Sequence, residues 1–287
     1  MVESICERTS DLTVDDRPIQ VTGIVVTYNE ARRLRECLNS LAFCDQLIVV
    51  DLGSTDDSIK IAQEYKARVV HHEWVPVVEK VWPDIEPHIQ HNWVLRADPD
   101  EVITSRLGQD IIRLLEQVSS DVAMVNLPHQ YYLLGEPLHT TFWGGIQFIG
   151  KIFHRQRVEL HPHVHRGIQI HEGFRTVTIP FHGSNIVQHY WIDSIPQLFK
   201  KHWRYIKQEG ASQYHAGRRF RGWRGWLRDT WYALQRAFVR YQGYKGGWRE
   251  LFLSFFYVWY VSSSALSLWW YQRQRSATRG FGKSEED

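Results

Sequence analysis

Asp98, Pro99 and Asp100 follow directly on the apolar run NWVLR (92–96), so two carboxylates one residue apart stand at a strand's end, with Glu101 next in the chain. Pro99 fixes its own φ and stiffens the loop between them. Oxygens paired in this way suit a hard divalent cation, Mg²⁺ or Mn²⁺, which takes one or two protein carboxylates and completes its shell with substrate phosphate oxygens. A cation held there neutralises a leaving diphosphate as a Lewis acid. Glu30, Asp51 and Asp56 occupy comparable points after the runs IQVTGIVVT (19–27) and QLIVV (46–50), and Asp51 is placed to accept hydrogen bonds from a base or ribose. Asp and Asn populate turns after strands in any protein. Their recurrence at successive strand ends is what points to one site.

The elements that must position these residues can be read from the same stretch. IQVTGIVVT is short and β-branched, and Tyr28-Asn29-Glu30 separates it from the helical pattern ARRLRECLNSLA. There Leu34, Cys37, Leu38 and Leu41 recur at three- and four-residue spacings and define one buried stripe. QLIVV is a second strand, followed by Gly53-Ser54-Thr55-Asp56, whose Ser or Thr can cap the helix DDSIKIAQEYK. ARVVH (67–71) and NWVLR give a third and a fourth strand. Strands alternating with helices predict an α/β fold with a mostly parallel sheet covered by flanking helices. In such sheets ligands bind outside the carboxyl ends of the strands. Glu30, Asp51, Asp56, Asp98 and Asp100 are therefore expected to converge on one crevice.

Composition sets the outer bounds. The 287 residues are 43% hydrophobic and 23% charged, which excludes a disordered tail, a collagen-like fibre and a small disulfide scaffold. The net charge of +2 conceals an asymmetry, because residues 1–125 carry 12 Lys and Arg against 22 Asp and Glu, and residues 126–287 carry 22 against 10. Nine of the 13 Trp lie at or after Trp191. Three cysteines without CxxC spacing favour neither a disulfide framework nor a cysteine zinc site, and suit a reducing compartment. Residues 1–18 are acidic, have no apolar core and are expected to be a flexible leader rather than a secretory signal.

The order TYNE (27–30), VVDLGSTDDSIKIA (49–62), HHEW (71–74) and WVLRADPDEV (93–102) resembles glycosyltransferase family 2, in particular its lipopolysaccharide-core β-1,4-glucosyltransferase-like branch. The resemblance covers about residues 19–110 and resumes at GWRELFLSFFYVWY (247–260). It implies a GT-A fold and an inverting, metal-dependent transfer of a sugar from a nucleotide donor, most commonly a UDP-sugar. Carried over by position, Thr27, Tyr28, Asn29 and Glu30 match the first nucleotide-contacting loop; Asp51, Ser54 and Asp56 match base and ribose-phosphate contacts; Asp98 and Asp100 match the metal-binding DxD, with Asp98 also facing the nucleotide sugar. Pro99 replaces the usual Ala. In 75–90 the branch's Gln/Arg-Asn pair is missing, and Lys80 is the substitute for its basic residue.

An inverting transfer needs a base that deprotonates the acceptor hydroxyl. Strands are expected over 122–132 and 142–154, and TFWGGIQFIGKIFHR resembles the branch's acceptor-side segment; Trp143 and Lys151 within it, together with Glu101, are expected on the acceptor side. The branch's Val-His-Glu is split here into Val164-His165-Arg166 and Ile170-His171-Glu172. Glu172 is the expected base, because a carboxylate accepts a proton and Arg166 does not; His165 and His171 are the alternatives. His161, His163 and His165 share one face if extended, a possible zinc set or simply a polar strand face beside the crevice.

From Ser194 the pattern is helical, with Ser194 as a cap. Phe220, Trp223, Leu227, Trp231, Leu234, Phe238 and Tyr241 form one stripe and Arg224, Arg228, Arg236 and Arg240 lie elsewhere on the wheel, the signature of an in-plane interfacial helix. Residues 251–271 carry no formal charge over a length that suffices to span a bilayer, but five serines and basic flanks on both sides favour a re-entrant hairpin or a helix lying in the interface and packed on its neighbour. Otherwise these aromatics are a subdomain core or a contact between copies of the chain. No nucleic-acid motif is present, and an acidic half would repel a polyanion. The expected organisation is a catalytic domain over 19–192, divided at 125 into nucleotide and acceptor halves, a membrane-associating region over 193–275 and a tail to 287. The expected activity is sugar transfer to a lipid-linked or lipopolysaccharide acceptor at the cytoplasmic face of the membrane, through the surface 218–271. The rivals are a nucleotidyltransferase, which wants a Gly-rich basic loop that TYNE is not, and a non-catalytic membrane adaptor.

Overall fold

A computed structural model of the protein describes residues 19–75, 78–160 and 168–281. Two compact units divide the chain, one from Met1–Gln130 with Ile146–His189, the other from Tyr131–Gly145 with Tyr190–Asp287.

In the first unit the β-branched runs become parallel strands. β1 (Val21–Thr27) pairs with β2 (Gln46–Asp51), and β2 with β3 (Arg68–His71). On its other side β1 pairs with β4 (Trp93–Ala97), again in parallel. The connections are α1 (Ala31–Ser40), α2 (Ser58–Glu64) and, after a 3₁₀ turn over Val78–Val81, the short α3 (Trp82–Ile85). Leu34, Cys37, Leu38 and Leu41 are fully buried, as the spacing predicts; each buried Leu contributes about 1.5–3 kcal/mol relative to an exposed one. Val81, Trp82 and Ile85 cover the other face of the sheet, over Ile24, Ile48 and Val50.

β5 (Glu101–Ile103) and α4 (Ser105–Gln117) lead to the long β6 (Val122–Leu133). After the two-residue β7 (Glu136–Pro137), β8 (Gln147–His154) lies antiparallel between β4 and β6. β9 (Val158–Leu160) and β10 (Ile168–Ile170) form a separate hairpin. β11 (Arg175–Thr178) pairs with β6, and β12 (Val187–Ile192) completes the path β3-β2-β1-β4-β8-β6-β12-β5. The strand expected over 142–154 begins only at Gln147. Gly144 and Gly145 turn the chain back instead, donating from N–H to Thr141 O and Leu138 O, and a Cβ on Gly144 would lie 2.5 Å from Thr141 N.

The second unit is built on helices. Ser194 caps α5 (Ile195–His215) by accepting from Gln197 N–H. α6 (Gly222–Leu234) runs on into a wider π turn, Gln235–Arg240, and α7 is Trp248–Phe281. α7 is continuous, so the re-entrant hairpin is not formed, and the helix packs on α5 and α6. Its serines take part in that packing. The Ser267 hydroxyl donates to Ile206 O on α5 at 2.6 Å, the Ser262 hydroxyl bonds the Thr230 hydroxyl on α6, and the backbone carbonyl of Ser262 accepts from Trp226 Nε1. Gly210 makes the first contact possible, since a Cβ there would lie 2.5 Å from Ser267 O. On α6, small residues, Gly225, Ala233 and Ala237 beyond it, are buried, while Trp223, Leu227 and Trp231 are each more than half exposed.

Candidate active site

The carboxyl ends of β1, β2 and β4 lie at one edge, since Thr27 is in register with Asp51 and Val25 with Ala97. Two loops meet there and bind each other through hydrogen bonds. Asn29, at φ 56°, donates from its backbone N–H to Ser54 Oγ at 2.9 Å and accepts Thr55 N–H on its Oδ1 at 2.7 Å. Glu30 N–H donates to Ser58 Oγ. Asp56 accepts from Ser58 N–H on Oδ1 and from Ala31 N–H on Oδ2, so one carboxylate serves the first turns of both α1 and α2. Neither Ser54 nor Thr55 caps α2: the cap position is Asp57, which makes no side-chain cap bond, and Asp56 just before it accepts the N–H of Ser58. Desolvation works against ionisation of Asp56, but the Ser58 hydroxyl and the two N–H donors outweigh it and hold the carboxyl below its usual range. Asp51 is buried at the end of β2 and accepts from Gly53 and Ser54 N–H, with His71 Nδ1 3.5 Å from its Oδ2. Thr27 is buried below this mesh, and Tyr28 is exposed above it.

The second cluster is the loop after β4. Glu101 is buried, and its carboxylate accepts Asp98 N–H at 3.0 Å and receives Lys151 Nζ at 2.7 Å. Lys151, buried on β8, also donates to Asp98 Oδ2 at 3.0 Å. His129 and His189 flank Glu101, each with a ring nitrogen 3.5 Å from its Oε1, and His189 Nε2 lies 3.4 Å from Asp100 Oδ2. Burial alone would raise the Glu101 carboxyl, but Lys151 and the two imidazoles drive it well below the usual range; burial would lower Lys151, but Glu101 and Asp98 raise it. Cys37 donates from Sγ to Asp98 O, and burial together with Glu101, Asp98 and Asp100 pushes its thiol up.

Glu101 and Lys151 are thus paired beneath the Asp98 loop rather than presented to an acceptor, and Trp143 lies in the second unit, tilted against Trp191 at 4.9 Å. Lys80 is exposed on its 3₁₀ turn. Asp98 and Asp100 keep their side chains 46% and 24% exposed. Two partly exposed carboxylates fit a divalent cation whose remaining ligands are phosphate oxygens. Among the described residues no three His, Cys, Asp or Glu side chains gather to hold a metal by themselves.

The expected base is displaced. His171 N–H donates to Arg157 O, Arg157 N–H to His154 O, and His154 pairs with Trp93, the first residue of β4. Glu172 and His171 therefore sit on the side of the amino end of β4, and Asp98 follows its carboxyl end, with the strand's length of about 17 Å at ~3.3 Å per residue between the two ends. Neither is placed to take a proton at the crevice. His165 lies outside the described residues, as do His161 and His163. His129 and His189 carry no motif that marks them as site residues. The available signal was a lone imidazole in each of two apolar strands, and only the pairing of β12 with β5 brings His189 to Glu101.

The sequence profile described as glycosyl transferase family 2 matches residues 22–176, more than half of the chain. The chain belongs to glycosyltransferase family 2. It is 24% identical over 231 residues to an uncharacterized glycosyltransferase of Rickettsia typhi, covering 77% of each chain. Over 122 residues it is 25% identical to the lipopolysaccharide core biosynthesis glycosyltransferase LpsC of Rhizobium meliloti, covering 41% of this chain and 44% of that one. Against a Rickettsia conorii glycosyltransferase it is 34% identical over 94 residues, about a third of either length. Among solved structures it is similar to S. aureus TarS 1–349, with 21% identity, a TM-score of 0.36 and coverage of 48% and 47%. It is also similar to glucosyl-3-phosphoglycerate synthase from Mycobacterium tuberculosis, with 19% identity, a TM-score of 0.33 and coverage of 44% and 50%. The α/β fold, with its parallel β3-β2-β1-β4 half, is that of a GT-A glycosyltransferase, and a glycosyltransferase is what this family member is.

Proposed function

We propose that this glycosyltransferase is inverting and metal-dependent, and moves a sugar from a nucleotide donor, most simply a UDP-sugar, to a hydroxyl of a lipid-linked or lipopolysaccharide acceptor at the cytoplasmic membrane surface. The observation that carries the reading is the hydrogen-bonded pair of loops at 29–31 and 54–58, on the same sheet edge as the Asp98 and Asp100 carboxylates. Tyr28, 46% exposed, offers a flat face for a base, and Asp51 with the Asn29–Ser54 mesh lines the ribose side. Asp98 and Asp100 would hold the cation, which when bound supplies charge neutralisation for the departing diphosphate. Lys151 holds Asp98 in place and Glu101 holds Lys151. With Glu172 on the opposite edge, the groups we assign to the acceptor's proton are Asp100 and His189, 3.4 Å apart beside the Asp98 loop.

Support for the membrane surface comes from the second unit. Trp248–Arg275 is, among the described residues, the one helix long and apolar enough by length and composition to cross a membrane, and α6 turns Trp223, Leu227 and Trp231 outward. The carbohydrate relative LpsC, by its name, works on lipopolysaccharide core. Incubating the full chain with UDP-sugars, Mn²⁺ and a membrane lipid extract tests the reading: release of free nucleoside diphosphate, lost in Asp98→Ala, is expected. Release of pyrophosphate would instead mark a nucleotidyltransferase, and binding without turnover a non-catalytic adaptor.

A further inference from the structure

The second unit holds a basic cavity that the transfer chemistry does not use. It has a volume of about 550 Å³ and lies where the end of α5, the turn 217–221, α6 and α7 meet. Gly217 and Gly222, at φ 81° and 74°, bracket Arg218-Arg219-Phe220-Arg221, so that the left-handed backbone at both ends gathers three guanidinium groups into one turn. Arg219 is fixed as part of the wall: it donates to Tyr214 O and Arg218 O and stacks on the Tyr214 ring at 4.0 Å. Arg218 and Arg221 line the cavity, are exposed, and make no ion pair among the described residues. The acidic side chain at the cavity, Asp229, is engaged by Arg228 at 3.4 Å. The floor is apolar, from Trp226, Ala265 and Leu268.

The surroundings say what such a cavity takes. Trp223 packs on Phe220 and Trp269, Arg273 lies over the Trp269 ring at 4.8 Å, and Trp270 is 59% exposed. Tryptophans with arginines at the end of a long apolar helical stretch match the headgroup level of a bilayer. A guanidinium fork binds phosphate oxygens in pairs, and a concave site with uncompensated positive charge over an apolar floor fits a phosphate joined to acyl chains better than a free anion.

We propose that the Arg218–Arg221 cavity binds the phosphate headgroup of an anionic membrane phospholipid, with its acyl chains along the outward face of α6. The inference rests on the membrane-surface reading above and gives it a defined lipid site. The test is flotation of the full chain with phosphatidylcholine vesicles, with or without about one third phosphatidylglycerol, a composition at which surface charge attracts basic segments. Arg218→Ala with Arg221→Ala is expected to weaken binding to the anionic vesicles tenfold or more, and Arg224→Ala with Arg236→Ala, two exposed arginines outside the cavity, less than threefold. Arg218→Lys with Arg221→Lys keeps the charge without the fork, and is expected to retain only part of the binding. Equal losses from the two alanine pairs would reduce the site to diffuse charge and overturn it. So would glycerol phosphate, offered alone, binding as tightly as the vesicles. A wild-type chain that floats with neither vesicle would overturn the membrane reading itself.

Discussion

Lys151 Nζ lies 3.0 Å from Asp98 Oδ2 and 2.7 Å from the Glu101 carboxylate, so a single buried ammonium joins a partly exposed carboxylate at the crevice to one that solvent does not reach. This sets how Asp98 is held, and it makes Lys151 a positioning residue. Breaking one side of a buried pair leaves the other charge uncompensated, at about 3–5 kcal/mol. Lys151→Met is therefore expected to lose stability of that order in a denaturant titration and to raise the Mn²⁺ concentration needed for half-maximal activity. Adding Glu101→Gln should restore most of the stability and little of the metal response, which a purely structural role would not produce.

Glu172→Gln should leave the transfer rate within about twofold, because the residue sits on the side of the amino end of β4. Asp100→Asn should lower kcat by about 10²-fold or more, the scale of losing a proton-transfer or metal-ligating group. The comparison is made at saturating donor with radiolabelled sugar; a hundredfold loss in the Glu172 variant would return the base to the 171–172 segment.

Asp56→Ala removes the acceptor for Ala31 and Ser58 N–H at once. Lost caps cost about 0.5–2 kcal/mol. Since the freed donors sit in the donor loops, KM for the nucleotide sugar should rise more than kcat falls, read from steady-state kinetics over donor concentration. Asp56→Asn keeps one acceptor and should lie between.

Burial beside Trp93, with Arg157 and Arg155 nearby, lowers the His154 pKa to about 4. Unfolded, the imidazole titrates near ~6.5. Below that value the unfolded chain binds the proton first, so the neutral ring's contribution is present above about pH 6.5 and fades as pH falls toward about 4. His154→Phe should flatten thermal stability between those two pH values without changing it at pH 8; an unaltered slope would assign the acid sensitivity elsewhere.

How far the sequence could reveal this site depended on the distance along the chain over which each residue acts. Asp98 and Asp100, Asn29 and Asp56 were legible because residue type, a neighbouring strand end and a turn identify them locally. Their partners were not. Lys151 reaches Asp98 across 53 positions and His189 reaches Glu101 through β12, and neither pairing leaves a periodic trace. Glu172 looked right by chemistry, but its edge is fixed by the antiparallel register of β8 on β4, which a motif does not carry. In the second unit the uncharged run 251–271 was legible as one apolar stretch, while the stripe of Trp223, Leu227 and Trp231 gave no sign of whether it faced in or out.

The bridge from Asp56 to Ala31 and Ser58 closes within a stretch of 28 residues, whereas Asp98 waits for Lys151 and Asp100 for His189. During synthesis the donor loops can lock as soon as β1, α1, β2 and α2 have left the ribosome. The carboxylates at Asp98 and Asp100 emerge later and remain uncompensated until some fifty to ninety further residues arrive, so the crevice is completed from its nucleotide end toward its metal end.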